Sequence, residues 1–236
     1  MYLSRLFINL QNAQVRRELA CPYEMHRTLL RAFPKGIVGL GRDNENAAGV
    51  LYRVDEKPHE NFNIVLVQSK IAPEWSFLNG QKDTRGYQYL LPTSTVNDGK
   101  ANPSMTEFDL ENKIHTGQTL AFRLRANPTK RLGKSATHDI GKRVGIYDED
   151  KQIKWLEDKA KIGGFSIIHV MVSRDERIRD EIHRENHTYD LQLLSVQFDG
   201  LLRILDQDMT RKTVENGIGS AKGFGFGLLS LAPVKG

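Results

Sequence analysis

The chain has 236 residues and carries 34 basic against 29 acidic side chains, a formal net charge of +5. With 39% hydrophobic and 27% charged residues, its composition is that of a globular protein, and its length suits one large domain or two domains of about 100 residues. The single cysteine, Cys21, excludes an intrachain disulfide and a multi-cysteine zinc site and is typical of a reducing cytoplasm. No apolar run approaches the roughly 18 residues of a membrane helix, and the first residues lack the pattern of a signal peptide.

The first half of the chain predicts the order strand, helix, strand, strand, helix, strand. Pro22 suits the first position of a helix because its missing N–H is not needed there, and Pro34 stops that helix. Strands are predicted at residues 2–9, 50–55, 63–69 and 119–127, and helices at residues 11–19, 22–33 and 73–78. The glycine-rich residues 36–48 and the polar residues 79–117 predict irregular connections.

The second half predicts much the same order. Asp148 favours the start of a helix, and Gly163 and Gly164 favour its end. A charged stretch covers residues 174–187. The predicted strands are residues 165–172, 191–198, 201–205 and 226–232, and a further helix covers residues 208–216.

This repeated order is the split βαβ pattern, which predicts an α+β fold with two tandem ferredoxin-like domains. We place the domains at residues 1–127, with the helix that begins at Pro22, and at residues 128–236, with a basic region and a glycine-rich loop. The RNA recognition module has the same topology and presents its sheet to single-stranded RNA. Fold analogy therefore makes RNA an expected partner.

Positive charge is concentrated in residues 122–145, where seven basic residues stand against one acidic residue, Asp139. The rest of the chain is almost neutral. Arg123 and Arg125 are two apart in a predicted strand and therefore project from one face. Such a cluster favours contacts to nucleic-acid phosphates, although a solvated charge cluster is the alternative. The candidate RNA-binding residues are Arg123, Arg125, Lys130, Arg131, Lys134, Lys142 and Arg143.

A candidate catalytic group lies on the helix that begins at Pro22. Tyr23 and His26 are three residues apart, so a helix places them on one face, with Arg27 beside them and Arg31 one turn further on. RNA cleavage without a metal requires two proton transfers and stabilisation of negative charge at phosphorus. Histidine performs either transfer near neutral pH, a tyrosine orients or protonates, and arginine supplies positive charge. The alternative is a structural histidine packed beside a tyrosine.

A glycine-rich loop occupies residues 217–227. It follows a predicted helix and opens a strand, so it is neither a dinucleotide fingerprint, which opens a helix, nor a Walker A loop, which requires Gly-Lys-Ser/Thr. Glycines allow close backbone approach and expose N–H groups to phosphate, and a tight structural turn is the alternative. The candidate RNA-binding residues of this loop are Gly217, Gly219, Ser220, Lys222 and Gly223.

His183 and His187 have the i, i+4 spacing that would place two metal ligands on one face of a helix. No glutamate follows His183, as a zinc protease would require, and the surrounding residues are highly charged. A solvated segment is therefore favoured, and a metal-dependent nuclease is the alternative.

Together these motifs resemble the CasE family, the CRISPR RNA-processing endoribonucleases of type I-E Cascade complexes. The resemblance spans nearly the whole chain, and the order and spacing of its motifs make it specific. The motifs lie at residues 1–5, 22–29, 122–131, 155–156, 163–165, 198–201 and 217–233.

The resemblance implies a single cut, without metal or cofactor, at the base of a repeat hairpin in CRISPR precursor RNA, leaving a 2′,3′-cyclic phosphate and a 5′-hydroxyl. It matches the family's catalytic histidine to His26 and its tyrosine to Tyr23, whereas its assisting basic residue fits both Arg27 and Arg31. Where a relative has a hydroxyl residue, this chain has Pro34. The implied partners are the repeat hairpin, which is retained, and other Cascade subunits. A non-catalytic RNA-binding subunit with an RRM-like sheet is the alternative.

Overall fold

The computed structural model describes residues 1–35, 48–95, 101–132, 141, 143–184 and 187–234. It divides into two compact units, the first made of Met1–Leu110 with Gly223–Gly225 and the second of Glu111–Lys222 with Phe226–Gly236. The predicted connection at residues 36–48 lies almost entirely outside the described residues. None of the helices in the described part combines the length and apolar character needed to cross a membrane.

The first unit contains a four-stranded antiparallel sheet in the order β2-β3-β1-β4. Its elements are β1 (Tyr2–Asn9), α1 (Ala13–Ala20), α2 (Pro22–Leu30), β2 (Leu51–Asp55), β3 (Phe62–Ser69) and β4 (Ser104–Glu107). Alternate residues of β1, Leu6 and Ile8, are buried in one cluster with Val15 of α1 and with Met25 and Leu29 of α2. Because alternate residues of a strand face the same side of a sheet, this cluster packs both helices on one face.

The second unit contains another four-stranded antiparallel sheet, in the order β10-β5-β9-β8. Its elements are β5 (Thr119–Ala126), β6 (Thr129–Arg131), β7 (Arg143–Gly145), α3 (Glu149–Ile162), β8 (Phe165–Arg184), β9 (His187–Ile204), α4 (Gln207–Asn216) and β10 (Leu229–Pro233). The β6–β7 hairpin forms a small sheet of its own between β5 and α3. In each four-stranded sheet, the last of its four strands along the chain lies beside the first: β4 beside β1, and β10 beside β5. This order confirms the prediction of two ferredoxin-like sheets in an α+β fold.

The boundary between the units lies earlier than the predicted division after residue 127. The predicted strand at residues 119–127 is β5, which pairs with β9 and β10 and so opens the second sheet instead of closing the first. The fourth position of the first sheet is filled by β4, which pairs with β1. The predicted irregular connection at residues 79–117 therefore contains a strand, and the predicted helix at residues 73–78 is a single 3₁₀ turn, Ser76–Leu78.

The described residues of the charged stretch, 174–184 and 187, belong to the paired strands β8 and β9. His183 lies in β8 opposite Thr188, and His187 lies in β9 opposite Arg184. The alternative interpretation, two metal ligands on one face of a helix, does not hold, because the backbone is extended at both histidines. The two strands predicted at residues 191–198 and 201–205 form one continuous strand, β9, which passes through Gly200.

Candidate active site and nucleic-acid interface

The helix α2 presents the Tyr23 and His26 pair. Pro22 occupies its first turn, as predicted, and Met25, Thr28 and Leu29 form its buried face. Tyr23 and His26 lie on the opposite side and are half-buried. The three-residue spacing therefore brings the phenol and the imidazole to one face of the helix.

The His26 imidazole is enclosed within the first unit. The ring of Tyr52, on β2, stacks on it with a centroid distance of 6.1 Å and an interplanar angle of 16°. A Cβ atom added to Gly223 would lie 3.3 Å from the Nε2 atom of His26. The Nδ1 atom is buried and has no hydrogen-bond partner among the described residues. Burial lowers the pKa of His26 from 6.5 to about 4, so the free protein holds a neutral imidazole at pH 7.

Three residues of the glycine-rich loop, Gly223–Gly225, belong to the first unit and cover this face of α2. The ring of Phe224 stacks on that of Tyr23 at 6.0 Å. The hydroxyl of Tyr52 donates a hydrogen bond to the carbonyl oxygen of Pro22 at 2.8 Å, and the carbonyl oxygen of Gly223 lies 3.5 Å from it. Two aromatic side chains that lie far from α2 in the sequence therefore orient the predicted pair.

The two candidate arginines have different surroundings. The Arg27 guanidinium forms an exposed ion pair with Glu24 at 3.0 Å. Arg31 follows the last turn of α2 with its guanidinium carbon 4.6 Å from the centroid of the Phe77 ring. Among the described residues Arg31 has no carboxylate partner, so its charge is the less compensated of the two.

A buried carboxylate fixes α2 against α1. Glu18 is 2% exposed and accepts hydrogen bonds from Gln14, Thr28 and Tyr89 at 2.6 to 2.7 Å. Burial, together with the nearby Glu18 charge, raises the pKa of the Tyr89 phenol well above its usual value, so this phenol stays protonated and donates. Because Thr28 lies on α2, these bonds set the position of the helix that carries Tyr23 and His26.

The predicted RNA-binding arginines of β5 project from one face, as the two-residue spacing requires. The Arg123 Nε donates to Asp199 at 2.6 Å. The Arg125 Nε donates to the hydroxyl of Ser195 at 2.8 Å, and the guanidinium lies 5.4 Å from the Phe226 ring centroid. The charge of Arg123 is therefore already compensated within the sheet.

A cavity of about 310 Å³ in the second unit brings together residues predicted from distant parts of the sequence. The β6–β7 hairpin contributes Lys130, Arg131 and Arg143, and the glycine-rich loop contributes Gly219 and Ser220. The structure thus joins the basic stretch and the glycine-rich loop at one positively charged site.

Three other predicted residues of the glycine-rich loop do not line this cavity. Gly217 follows the last turn of α4 with a φ of 72°, and Lys222 opens the 3₁₀ turn Lys222–Phe224. Gly223 lies beside His26 in the first unit. Lys134 and Lys142 lie outside the described residues.

Four residues of the two sites were not among those predicted from the sequence. Tyr52 and Phe224 contact the Tyr23 and His26 pair. Trp155 and Lys159 line the cavity from α3. The i, i+4 spacing of Trp155 and Lys159 is a sequence signal for a shared helix face, whereas the placement of Tyr52 and Phe224 depends on tertiary packing alone.

The chain combines two ferredoxin-like sheets, a helix with a Tyr–His pair and a glycine-rich loop before the last strand. Comparison with known proteins places it in a class of CRISPR-associated proteins. The family model described as CRISPR associated protein matches residues 1–233. The chain is 32% identical over 241 residues to CRISPR-associated endoribonuclease Cse3 of Thermus thermophilus, covering 99% of this chain and 100% of that protein.

A second relative and a solved structure agree with this match. CRISPR system Cascade subunit CasE of Escherichia coli is 32% identical over 240 residues, covering 99% of this chain and 100% of that protein. A solved structure of CRISPR endoribonuclease Cse3 bound to 19 nt RNA has a TM-score of 0.76 and 32% identity, covering 99% of this chain and 100% of that one. The chain belongs to the CasE (Cse3) family of CRISPR-associated proteins.

Proposed function

We propose that this chain is a CRISPR endoribonuclease that cleaves precursor RNA at the base of the repeat hairpin and retains the product as a subunit of Cascade in the cytoplasm. The relatives support the activity and the partners, since they are named as an endoribonuclease and a Cascade subunit, and one is solved with bound RNA. The observation that carries the proposal is the neutral His26 imidazole beside Tyr23 on α2.

The proposed reaction is attack of a ribose 2′-oxygen on the adjacent phosphorus. The P–O5′ bond breaks as the P–O2′ bond forms, which gives a 2′,3′-cyclic phosphate and a 5′-hydroxyl. His26 accepts the proton of the 2′-hydroxyl, because a group with a pKa of about 4 is an unprotonated acceptor at pH 7. Tyr23 donates a proton to the departing 5′-oxygen. Arg31, the less compensated arginine, stabilises the charge at phosphorus.

The alternative, a non-catalytic subunit that binds RNA on an RRM-like sheet, requires exposed aromatic rings on the central strands. In the second unit the exposed face of β5 and β9 carries Arg123, Arg125, Gln197 and Asp199, with no aromatic side chain among the described residues of that face. In the first unit the outward-facing aromatic residue of β1, Phe7, is buried at 6% exposure. Phe62 of β3 is half-buried on the same face and packs against Phe7 at 5.4 Å, so the first sheet keeps one partly exposed ring on its central strands.

The decisive experiment incubates the purified chain with a repeat hairpin in EDTA. We expect cleavage at one position, a cyclic phosphate on the 5′ product, and no cleavage of a hairpin with a single 2′-deoxyribose before the scissile phosphate. Loss of cleavage in EDTA would contradict metal independence. Cleavage of the deoxy-substituted hairpin would contradict the 2′-oxygen as nucleophile.

A matched pair of variants tests the assignment of His26. We expect His26→Ala to lower the single-turnover cleavage rate by about two to four orders of magnitude, the usual contribution of a general acid or base, with hairpin affinity retained. His115→Ala is the control, because His115 is exposed in the second unit. Equal cleavage rates in the two variants would overturn the assignment.

A further inference from the structure

The buried side chain of Tyr52 joins the first sheet to the helix that carries His26. Tyr52 is 1% exposed and lies on β2, which is held in the sheet by its pairing with β3. Its ring stacks on the His26 imidazole, and its hydroxyl reaches the first turn of α2. The ring and the hydroxyl therefore contact α2 at two separate points.

The Tyr52 hydroxyl fixes the start of α2. It donates a hydrogen bond to the carbonyl oxygen of Pro22 at 2.8 Å. In an α-helix the carbonyl of residue 22 also accepts from the N–H of residue 26, so Tyr52 is attached one turn before His26. The N-cap residue, Cys21, makes no side-chain capping hydrogen bond within the described part of the chain. A strand of the sheet thus holds a helix end that lacks a side-chain cap.

The Tyr52 ring holds the plane of the imidazole. The two rings are nearly parallel, with an interplanar angle of 16° and centroids 6.1 Å apart. Histidines that transfer protons are usually oriented by a hydrogen bond to the second ring nitrogen. At His26 the Nδ1 atom is buried and has no such partner among the described residues. Packing against Tyr52 therefore takes the place of that hydrogen bond in orienting the ring.

Two glycines of the first unit pack on the same pair of rings. A Cβ atom added to Gly223 would lie 3.3 Å from both the Nε2 and the Cδ2 atoms of His26. Gly225 has a φ of 82°, and a Cβ atom there would lie 3.1 Å from the Cε2 atom of Tyr52. Because both rings are in contact with backbone on this side, a shift of Tyr52 would be passed on to the imidazole.

We propose that Tyr52 is a positioning residue for RNA cleavage, whose ring holds the plane of the His26 imidazole and whose hydroxyl holds the turn of α2 that carries Tyr23 and His26. A proton acceptor must lie within hydrogen-bond distance of the 2′-hydroxyl, and a small displacement of it lowers the rate strongly. Tyr52 acts through His26, because its own hydroxyl donates to a main-chain carbonyl. The inference rests on the proposed function, which assigns the proton transfer to His26.

The first test removes the hydroxyl and keeps the ring. Tyr52→Phe is compared with Ser69→Ala, because the Ser69 hydroxyl is also buried in the first unit and also donates to a main-chain carbonyl, that of Ile71 at 2.7 Å. Single-turnover cleavage is measured at saturating hairpin, in buffer where urea denaturation shows both variants to be folded. We expect Tyr52→Phe to cleave about tenfold more slowly with unchanged hairpin affinity, and Ser69→Ala to cleave at the wild-type rate. Equal rates of the two variants would overturn the proposal.

The second test removes the ring and observes His26 directly. NMR of protein labelled with ¹³C at histidine Cε1 gives the pKa of each of the seven histidines, and the His26 signal is the one missing from His26→Gln. We expect a His26 pKa of about 4 in the wild type and in Tyr52→Phe, and a value closer to 6.5 in Tyr52→Leu, because water then reaches the imidazole. Cleavage by Tyr52→Leu should be about a hundredfold slower than by the wild type. An unchanged His26 pKa in Tyr52→Leu would overturn the proposal.

The two tests separate this inference from the proposed function. The NMR titration uses the free protein, so its outcome does not depend on whether the chain cleaves RNA. Absence of cleavage by the wild-type chain would refute the proposed function, and the His26 pKa in Tyr52→Leu would still decide whether Tyr52 holds the imidazole. If Tyr52→Leu does not fold, Tyr52→Phe keeps the buried ring, and its cleavage rate against that of Ser69→Ala decides the matter.

Discussion

The enclosure of His26 makes the stability of the first unit depend on pH. The pKa of His26 is about 4 in the folded chain against 6.5 in its ordinary state. Between these values the unfolded chain binds more protons than the folded chain, so stability is complete above pH 6.5 and decreases as the pH falls toward 4. The loss reaches about 2 kcal/mol at pH 5 and about 3 kcal/mol below pH 4, because one pKa unit corresponds to about 1.4 kcal/mol.

Urea denaturation of wild type and His26→Gln at pH 7.5, 6.0 and 5.0 measures the contribution of His26 to the pH dependence of the free energy of unfolding. Both chains carry Trp155→Phe, so that the fluorescence of Trp75 reports the first unit. Other titrating groups contribute equally to the two chains, and the difference between their stability changes isolates His26. We expect the wild type to lose about 2 kcal/mol more than the variant between pH 7.5 and pH 5.0. Equal losses would refute the inference that burial keeps this imidazole neutral.

Three further predictions follow from features of the first and second units. Tyr89→Phe removes one of the hydrogen bonds to the buried Glu18 carboxylate and should destabilise the first unit by about 1 to 3 kcal/mol in urea denaturation. An unchanged free energy of unfolding would contradict a stabilising role for this hydrogen bond. At Gly164 the φ is 79°, and an added Cβ atom would lie 2.7 Å from a backbone carbonyl oxygen, whereas at Gly86 the φ is 87° and the Cβ atom would meet open space. Gly164→Ala should therefore lower the free energy of unfolding more than Gly86→Ala. Equal urea midpoints for the two variants would contradict this prediction. Because free His26 stays neutral, kcat/KM should be level from pH 5.5 to pH 7.5, and a tenfold rise across that range would contradict the assigned protonation state.

The sequence predicted the elements that have strong periodic patterns. β1 has the predicted bounds, α2 begins at Pro22 as predicted, and α3 begins after Asp148, whose side chain caps it by accepting from the Lys151 N–H at 3.0 Å. These features are set by local chemistry, namely proline geometry, capping and alternation, which a sequence displays directly.

The missed elements depend on partners that are distant in the chain. β4 has four residues and no buried side chain, so its only strand signal is its pairing with β1. The sequence predicts the β5 strand but not which sheet it joins, and this ambiguity placed the domain boundary too late. The β8–β9 hairpin was missed because its residues 174–187 are rich in charge, which favours a solvated segment over a strand.

In the candidate sites, too, local spacing was predicted from the sequence, whereas contacts between distant residues were not. The spacing of Tyr23 and His26 is local and was predicted from the sequence, whereas the burial that lowers the pKa of His26 arises from the fold, which also brings Tyr52 and Gly223 against the ring. Lys159 lies outside the charge-rich residues 122–145 and was therefore not grouped with them. A charge count along the chain does not detect a cation contributed by a neighbouring helix.

The assignment of Gly223–Gly225 to the first unit limits how the chain can be dissected. A fragment that ends at Leu110 would keep both helices and all four strands of its sheet, yet it would lack Phe224 over Tyr23 and Gly223 against His26. A fragment made by one cut therefore cannot keep both the first 110 residues and the loop residues that contact Tyr23 and His26 without also keeping the second unit's sequence. Any insertion or deletion that changes the length of the α4–β10 connection would therefore alter the surroundings of Tyr23 and His26 from more than a hundred residues away.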